Sequence, residues 1–238
     1  MTTVLLVRHG RTTANDAGVL AGWTEGVALD ETGRTQVRAL AGRLAPVPLV
    51  AVVTSPLQRC RETTGLLVEG RDVPVHDDDR LGEVRYGEWS GQELKKLAKE
   101  PLWKVVQSHP SAMTFPGEGG ESLRGMADRA VDAVRDWNSR LGSDKKEAVY
   151  AVVSHGDVIK AILADALGMH LDQFQRLVVD PGSVSIVSYT PLRPFVLRVN
   201  DVGGDLSFLA PRKSTRRRRK APSSEASLGG GLGAADSA

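Results

Sequence analysis

Short apolar runs, each followed at once by polar residues, recur along the chain. Residues 4–7, 50–53 and 149–153 consist almost entirely of valine, leucine and alanine, which is typical of strands buried on both faces of a parallel sheet. Segments whose apolar residues have helical spacing lie between these runs. This alternation predicts an α/β fold: a three-layer sandwich with a mainly parallel central sheet and helices on both faces.

The first helical segments carry start and stop signals. Asp30 or Thr32 can cap a helix that runs to about Leu44, because a short polar side chain there satisfies free backbone N–H groups. Ser55, which a proline follows, predicts the start of a second helix, and Gly70 suits its end.

The later segments predict two more helices and a hairpin. After Ser122, apolar side chains recur at helical spacing as far as position 141, which indicates a helix packed on a core. A further helix is predicted over residues 157–167. Strands near 184–189 and 195–199, joined by a proline-rich loop, predict a closing hairpin.

Four polar clusters each follow a predicted strand. They are Arg8-His9-Gly10 with Thr12 and Asn15, residues 54–63 with Arg59, residues 81–91 with Glu83, and residues 154–157 with His155. Ligands of open α/β sheets bind outside the carboxyl ends of the strands. A lone Arg-His pair carries little weight, but four such clusters predict one shared site. The first cluster predicts a phosphate cradle around a nucleophilic imidazole.

These motifs, in this order, resemble those of the histidine phosphatase superfamily, also called the phosphoglycerate-mutase-like family. The resemblance covers residues 3–200, approximately. It implies the following correspondence: the signature loop is Arg8 to Asn15, the second phosphate-binding arginine is Arg59, the acid is Glu83, and the second histidine motif is His155-Gly156. Two features depart from the family pattern. Arg11 stands where the mutases usually carry glutamate, and residues 91–120 are shorter than the matching mutase insertion.

The residue types fit phosphoryl transfer. Arg8 and Arg59 can each grip phosphate oxygens with a planar fork of donors. Their charges favour a neutral His9, which can attack phosphorus and form a phosphohistidine. His155 would supply a further donor to the phosphoryl oxygens. Glu83 would protonate the leaving oxygen and then take a proton from water.

Other interpretations stay open for some of these residues. Arg59 can pair with Glu62, and Glu83 with Arg85, as surface ion pairs that contribute little to stability. Glu88 is a second candidate for the acid.

Further residues are expected near the ligand. Thr12, Asn15 and Gly156 are predicted phosphate contacts, and Arg11, Gly22 and Tyr86 are predicted to line the substrate side. Cys60 lies beside Arg59 but is interpreted as a small apolar helix residue, not a nucleophile.

Composition adds the domain organisation. The chain has 238 residues and one cysteine, which predicts a cytoplasmic protein without an internal disulfide. Residues 1–210 are predicted to form the histidine phosphatase domain, with residues 91–120 as a lid over the sheet edge. Residues 211–238 are predicted to be a disordered basic tail. Seven basic residues against two acidic ones give that tail a net charge of +5, so residues 1–210 carry −3.

The sequence therefore predicts a metal-independent phosphatase that needs no cofactor and acts on a small phosphorylated metabolite. A cofactor-dependent phosphoglycerate mutase or other phosphomutase is the alternative, and a non-catalytic phospholigand-binding module is a third. No membrane span and no specific nucleic-acid partner are expected. A homodimer remains open.

Overall fold

One mixed sheet forms the centre of the protein. The computed structural model describes residues 1–142 and 147–204. The strands are β1 Thr2–Arg8, β2 Leu49–Thr54, β3 Val75–Asp77, β4 Ala148–Ser154, β5 Val184–Tyr189 and β6 Pro194–Asp201. They pair in the order β3-β2-β4-β1-β5-β6. The predicted tail and the predicted domain end at residue 210 lie outside the described residues.

The sheet is parallel over the part that carries the polar clusters. β1 and β2 both pair parallel with β4, and β3 pairs parallel with β2. The register places Arg8 beside Ser154, and Thr54 beside Val153. The carboxyl ends of three strands are therefore level. β5 and β6 form the predicted antiparallel hairpin, and the predicted α/β fold is confirmed.

Helices cover both faces of this sheet. They are α1 Thr13–Asp16, α2 Glu31–Leu44, α3 Gln58–Val68, α4 Leu94–Leu97, α5 Pro101–Ser108, α6 Leu123–Leu141 and α7 Gly156–Ala166. Alternate residues of β1 enter separate apolar clusters, Val4 and Leu6 in one, Leu5 and Val7 in the other. α2 and α3 pack in the second cluster, and α6 and α7 in the first. No described helix is long and apolar enough to cross a membrane.

The helix starts follow the sequence signals at two of three places. Asp30 caps α2 by accepting a hydrogen bond from the Gly33 N–H, and Ser122 caps α6. The prediction that Ser55 starts a helix is wrong. α3 begins at Gln58, because the Ser55 hydroxyl is used within the interior and the backbone bends at Pro56 and Leu57 before the helix starts.

Residues 91–120 are built into the core on the α6 side. This segment contains α4, α5 and a turn of 3-10 helix. Its buried side chains are Leu97, Trp103, Val106, Met113 and Phe115. That the segment also acts as a lid stays a prediction.

The first turn of α2 packs directly on the loop after β1. A Cβ atom on Gly10 would lie 2.5 Å from the Gly33 carbonyl oxygen, and one on Gly33 would collide with the Arg11 backbone. Both positions therefore require glycine for close backbone approach.

We expect Gly33→Ala to lower the free energy of unfolding by about 1–3 kcal/mol, because the loop and α2 must move apart. Gly42→Ala on the same helix is the matched control. A Cβ there meets nothing within 4 Å, so it should stabilise the protein by about 0.5–1 kcal/mol. Urea unfolding of both variants measures the difference, and equal effects would contradict the close-packing argument.

Candidate active site

Five predicted residues converge at the carboxyl edge of the sheet. Arg8, His9, Arg59, Glu83 and His155 are all buried, none more than 4% exposed. The backbone N–H of His9 donates to the Ser154 carbonyl oxygen at 3.0 Å, which joins the end of β1 to the end of β4. The His9 and His155 ring centroids are 5.2 Å apart, and the ring planes meet at 62°. The two imidazoles thus lie side by side in this buried cluster of five polar residues, the reaction chamber.

His9 is held with one ring nitrogen free. Its Nδ1 lies 2.7 Å from the Gly10 carbonyl oxygen. Since a carbonyl only accepts, Nδ1 must carry the hydrogen, and Nε2 keeps its lone pair. Burial, followed by the charges of Arg59 and Arg8, holds the pKa of His9 well below its ordinary value. The ring is therefore a neutral nucleophile.

The two arginines are anchored by backbone oxygens. Arg8 donates to the Val179 carbonyl oxygen at 2.7 Å, and Arg59 donates to that of Gly22 at 2.8 Å. Gly22 has φ of +53°, and a Cβ there would lie 3.0 Å from Tyr86 and Ser90 side-chain atoms. Gly22 therefore helps to place Arg59.

Glu83 is a buried acid beside His155. Its Oε1 accepts from the Val84 N–H at 3.0 Å, and its Oε2 lies 3.8 Å from His155 Nδ1. Burial, reinforced by the charge of Asp157, raises the pKa of Glu83 to about 7. The structure places Glu83 in the cluster, whereas Glu88 is exposed. A carboxyl group with this pKa can both give and take a proton near neutrality.

The other side of His155 faces Ser55 and Cys60. His155 Nε2 lies 2.8 Å from Ser55 Oγ and 3.5 Å from Cys60 Sγ. Burial, then the charge of Arg59, holds the pKa of His155 well below its ordinary value. Burial also raises the pKa of the Cys60 thiol to about 12. The thiol is thus protonated, which fits its interpretation as an apolar residue.

Tyr86 does not fit its predicted place on the substrate side. Its hydroxyl donates to Asp157 Oδ2 at 3.1 Å, and its ring packs edge-on against Phe115 at 4.9 Å. The Lys160 ammonium lies 3.4 Å from the other Asp157 oxygen. Tyr86 belongs to this buried network behind Glu83, because its phenol group is only satisfied there. Gly156, the first residue of α7, is buried beside it.

Thr12 and Asn15 form a cap on α1. Asn15 Oδ1 accepts from the Thr12 N–H and hydroxyl at 3.1 and 3.0 Å. The Thr12 hydroxyl is used in this cap, so only Asn15 Nδ2 is left to offer to a ligand.

Arg11 forms ion pairs with two carboxylates. Its guanidinium lies 2.8 Å from Asp30, 3.2 Å from Asp16 and 2.9 Å from the Thr32 hydroxyl. Two carboxylates therefore already compensate the charge of Arg11, and its place on the substrate side stays a prediction.

Arg129 was missed by the sequence reasoning. This α6 side chain donates to the carbonyl oxygens of Arg80, Gly82 and Glu83 and pairs with Glu121. It thereby fixes the loop that carries the acid. Its spacing on a helix gave no signal, because the three carbonyl groups that it binds lie more than forty positions away.

Trp23 holds the same loop from the opposite side. Its indole N–H donates to the Glu83 carbonyl oxygen at 2.5 Å. The sequence signal for Trp23 was its position directly after Gly22, a residue that the sequence analysis placed near the ligand.

Comparison with known proteins identifies the family of the chain. The model of the histidine phosphatase superfamily (branch 1) matches residues 4–202. The chain belongs to this superfamily. Within the described ranges, this histidine phosphatase has no group of three or more His, Cys, Asp or Glu side chains that could hold a metal ion.

Its relatives include both a mutase and phosphatases. The chain is 30% identical over 184 residues to 2,3-bisphosphoglycerate-dependent phosphoglycerate mutase 2 of Gloeobacter violaceus, covering 76% of this chain and 82% of that protein. It is 28% identical over 208 residues to phosphoserine phosphatase 1 of Hydrogenobacter thermophilus, covering 84% and 92%. Bacillus stearothermophilus YhfR superposes with a TM-score of 0.77 at 28% identity, covering 84% and 98%.

We expect Arg129→Met to lower the free energy of unfolding by at least about 2 kcal/mol, because several charge-assisted hydrogen bonds are lost. Arg124→Met, an exposed arginine on the same helix, is the control and should change stability little. Thermal unfolding measures both. Turnover of alkyl phosphates should fall in Arg129→Met alone, since the loop that places Glu83 loosens. Similar behaviour of the two variants would contradict this role.

Proposed function

We propose that this histidine phosphatase hydrolyses a small phosphomonoester through a covalent phosphohistidine on His9, without a metal ion. The lone pair on His9 Nε2, which follows from the Nδ1 hydrogen bond to the Gly10 carbonyl oxygen, together with the two buried arginines is the observation that carries the proposal. A phosphate dianion needs positive charge around it and a nucleophile in line with the leaving oxygen. Arg8 and Arg59 supply the charge that a metal supplies elsewhere.

The first step transfers the phosphoryl group to His9. Its Nε2 attacks phosphorus while the bond to the substrate oxygen breaks. Glu83, protonated up to about pH 7, gives its proton to that oxygen, and the alcohol leaves. Asn15 Nδ2 and the His155 ring would donate to phosphoryl oxygens.

The second step returns the enzyme to its starting state. The Glu83 carboxylate takes a proton from water, the resulting hydroxide attacks phosphorus, and the bond to His9 breaks. Inorganic phosphate leaves, and Glu83 is protonated again.

Hydrolysis is favoured over the mutase reaction, in which the phosphoryl group passes to a second hydroxyl group, because a mutase must keep water from its phosphohistidine. Residues 91–120 offer a short segment for such a shield. The charge of Arg11 gives no argument for either the phosphatase or the mutase, since Asp30 and Asp16 compensate it. The mutase remains the second candidate, because the Gloeobacter violaceus relative carries that name. The complete cluster argues against a non-catalytic binding module.

The cytoplasm is the proposed location. The single cysteine, Cys60, is buried and forms no disulfide within the described residues, and a chain that does not depend on disulfides suits a compartment where thiols stay reduced.

Brief reaction with substrate should leave an acid-labile, base-stable phosphoryl group on His9, because phosphorus bonded to imidazole nitrogen hydrolyses in acid. Rapid quench followed by mass spectrometry of the His9 peptide detects it. His9→Ala should form no phosphoenzyme and lose at least about 10³-fold in turnover. A base-labile or acid-stable adduct, or turnover retained by the variant, would overturn the mechanism.

The pH profile should depend on the leaving group. For an alkyl phosphate, kcat/KM should fall as pH rises through about 7, because Glu83 loses the proton it must donate. The acidic limb should follow the substrate's second ionisation near pH 6, since His9 is already neutral there.

Glu83→Gln should abolish the basic limb and lower kcat/KM for the alkyl phosphate much more than kcat/KM for p-nitrophenyl phosphate, whose leaving group needs no proton; kcat/KM reports only the first step, before Glu83 acts as the base. Glu88→Gln is the matched control and should behave as wild type. Equal losses on both substrates in Glu83→Gln would move the acid role to another residue.

One assay separates phosphatase from mutase. With 3-phosphoglycerate and 2-phosphoglycerate supplied separately, phosphate release should outrun isomer exchange, with or without bisphosphoglycerate. Phosphorus NMR follows both products in one tube. Exchange much faster than release would establish the mutase instead.

A further inference from the structure

Ser55 is a buried hydroxyl that the mechanism leaves unused. It follows the last residue of β2 and is 0% exposed. Its backbone N–H donates to the Val153 carbonyl oxygen at 2.9 Å, which fixes its position against β4. Its Oγ lies 2.8 Å from His155 Nε2. This is a strong hydrogen bond in the interior, and its direction decides which His155 nitrogen carries a hydrogen.

The surroundings of Ser55 set that direction. The Leu57 N–H donates to Ser55 Oγ at 3.4 Å, so one lone pair of the oxygen is used. The hydroxyl hydrogen then finds its best acceptor in His155 Nε2. Cys60 Sγ, which is also within hydrogen-bonding reach of the Ser55 hydroxyl, is a much weaker acceptor than an imidazole nitrogen. The His155 ring is neutral because of burial and the nearby charge of Arg59, so it has one ring hydrogen to place.

The opposite nitrogen of the ring faces the reaction chamber. His155 Nδ1 lies 3.8 Å from Glu83 Oε2, too far for a hydrogen bond between them. A phosphoryl oxygen held by the arginines needs a donor on this side. His9 has the opposite arrangement toward the phosphoryl group: its Nδ1–H donates to the Gly10 carbonyl oxygen, and its Nε2 presents a lone pair.

We infer that Ser55 is a positioning residue, which donates its hydroxyl hydrogen to His155 Nε2 and so holds His155 as a neutral Nδ1–H donor toward the phosphoryl group. This inference rests on the proposed function for its consequence but not for its geometry. The His9 imidazole then attacks phosphorus while the His155 imidazole donates a hydrogen bond to a phosphoryl oxygen, although the two side chains are chemically the same. Without the hydroxyl, the hydrogen can move to Nε2, and a lone pair would face the phosphoryl oxygens.

The test begins with the tautomer in the wild-type protein. Histidine labelled with ¹⁵N in both ring positions gives two-bond ¹H–¹⁵N correlations that distinguish a protonated from an unprotonated ring nitrogen. The His155 signals are assigned by their absence in His155→Gln. At neutral pH we expect Nδ1 protonated and Nε2 unprotonated. An Nε2–H ring or an imidazolium would overturn the inference, whether or not any variant folds.

The variant Ser55→Ala then tests the consequence. We expect His155 to redistribute toward the Nε2–H tautomer and kcat to fall about 10- to 100-fold, less than for outright loss of a transition-state donor. KM should change little. Thr64→Val is the matched control, because the buried Thr64 Oγ1 has no hydrogen-bond partner within the described part of the chain. It should keep the wild-type tautomer and rate.

The remaining outcomes are also decisive. A Ser55→Ala protein with a lower kcat but the wild-type His155 tautomer would show a packing role and overturn the inference. An unchanged kcat together with an unchanged tautomer would do the same. If the wild-type protein proves to have no phosphatase activity, yet shows the Nδ1–H tautomer that Ser55→Ala loses, the proposed function fails and the assignment of Ser55 stands.

Discussion

The burial of two guanidinium groups beside two imidazoles is the constraint on which the site depends. Arg8 and Arg59 are each at most 2% exposed, and their charges lower the pKa of both His9 and His155. Buried charges are tolerated only when polar groups compensate them. Here backbone oxygens and the acid Glu83 do so. The result is a site whose two arginines can compensate the charge of a dianion and whose nucleophile, His9, is already neutral.

The acid Glu83 in turn depends on a group of residues around it. Asp157 lies behind Glu83 and helps to raise its pKa, while Lys160 and Tyr86 hold Asp157 in turn. Arg129 fixes the backbone of the Glu83 loop from α6. An acid that must be protonated near neutrality therefore depends on residues from two helices. Its environment, more than its identity, prepares it for proton transfer.

Hydrogen bonds to the ring nitrogens make the two histidines different. A carbonyl oxygen can only accept, so Gly10 fixes the hydrogen on His9 Nδ1. A hydroxyl can donate, so Ser55 can fix the lone pair on His155 Nε2. The pair shares the chamber because β1 and β4 are adjacent and parallel with their ends level.

The sequence by itself determined the strands, the α2 and α6 caps and the meeting of the polar clusters, because apolar period, cap chemistry and parallel-strand geometry are local or general rules. Only the tertiary structure decided what each side chain contacts. It turned Arg11 onto Asp30 and Tyr86 onto Asp157, and it brought Arg129 to the Glu83 loop. These contacts join positions distant in the chain, and their energies come from burial and charge compensation, which no single segment encodes.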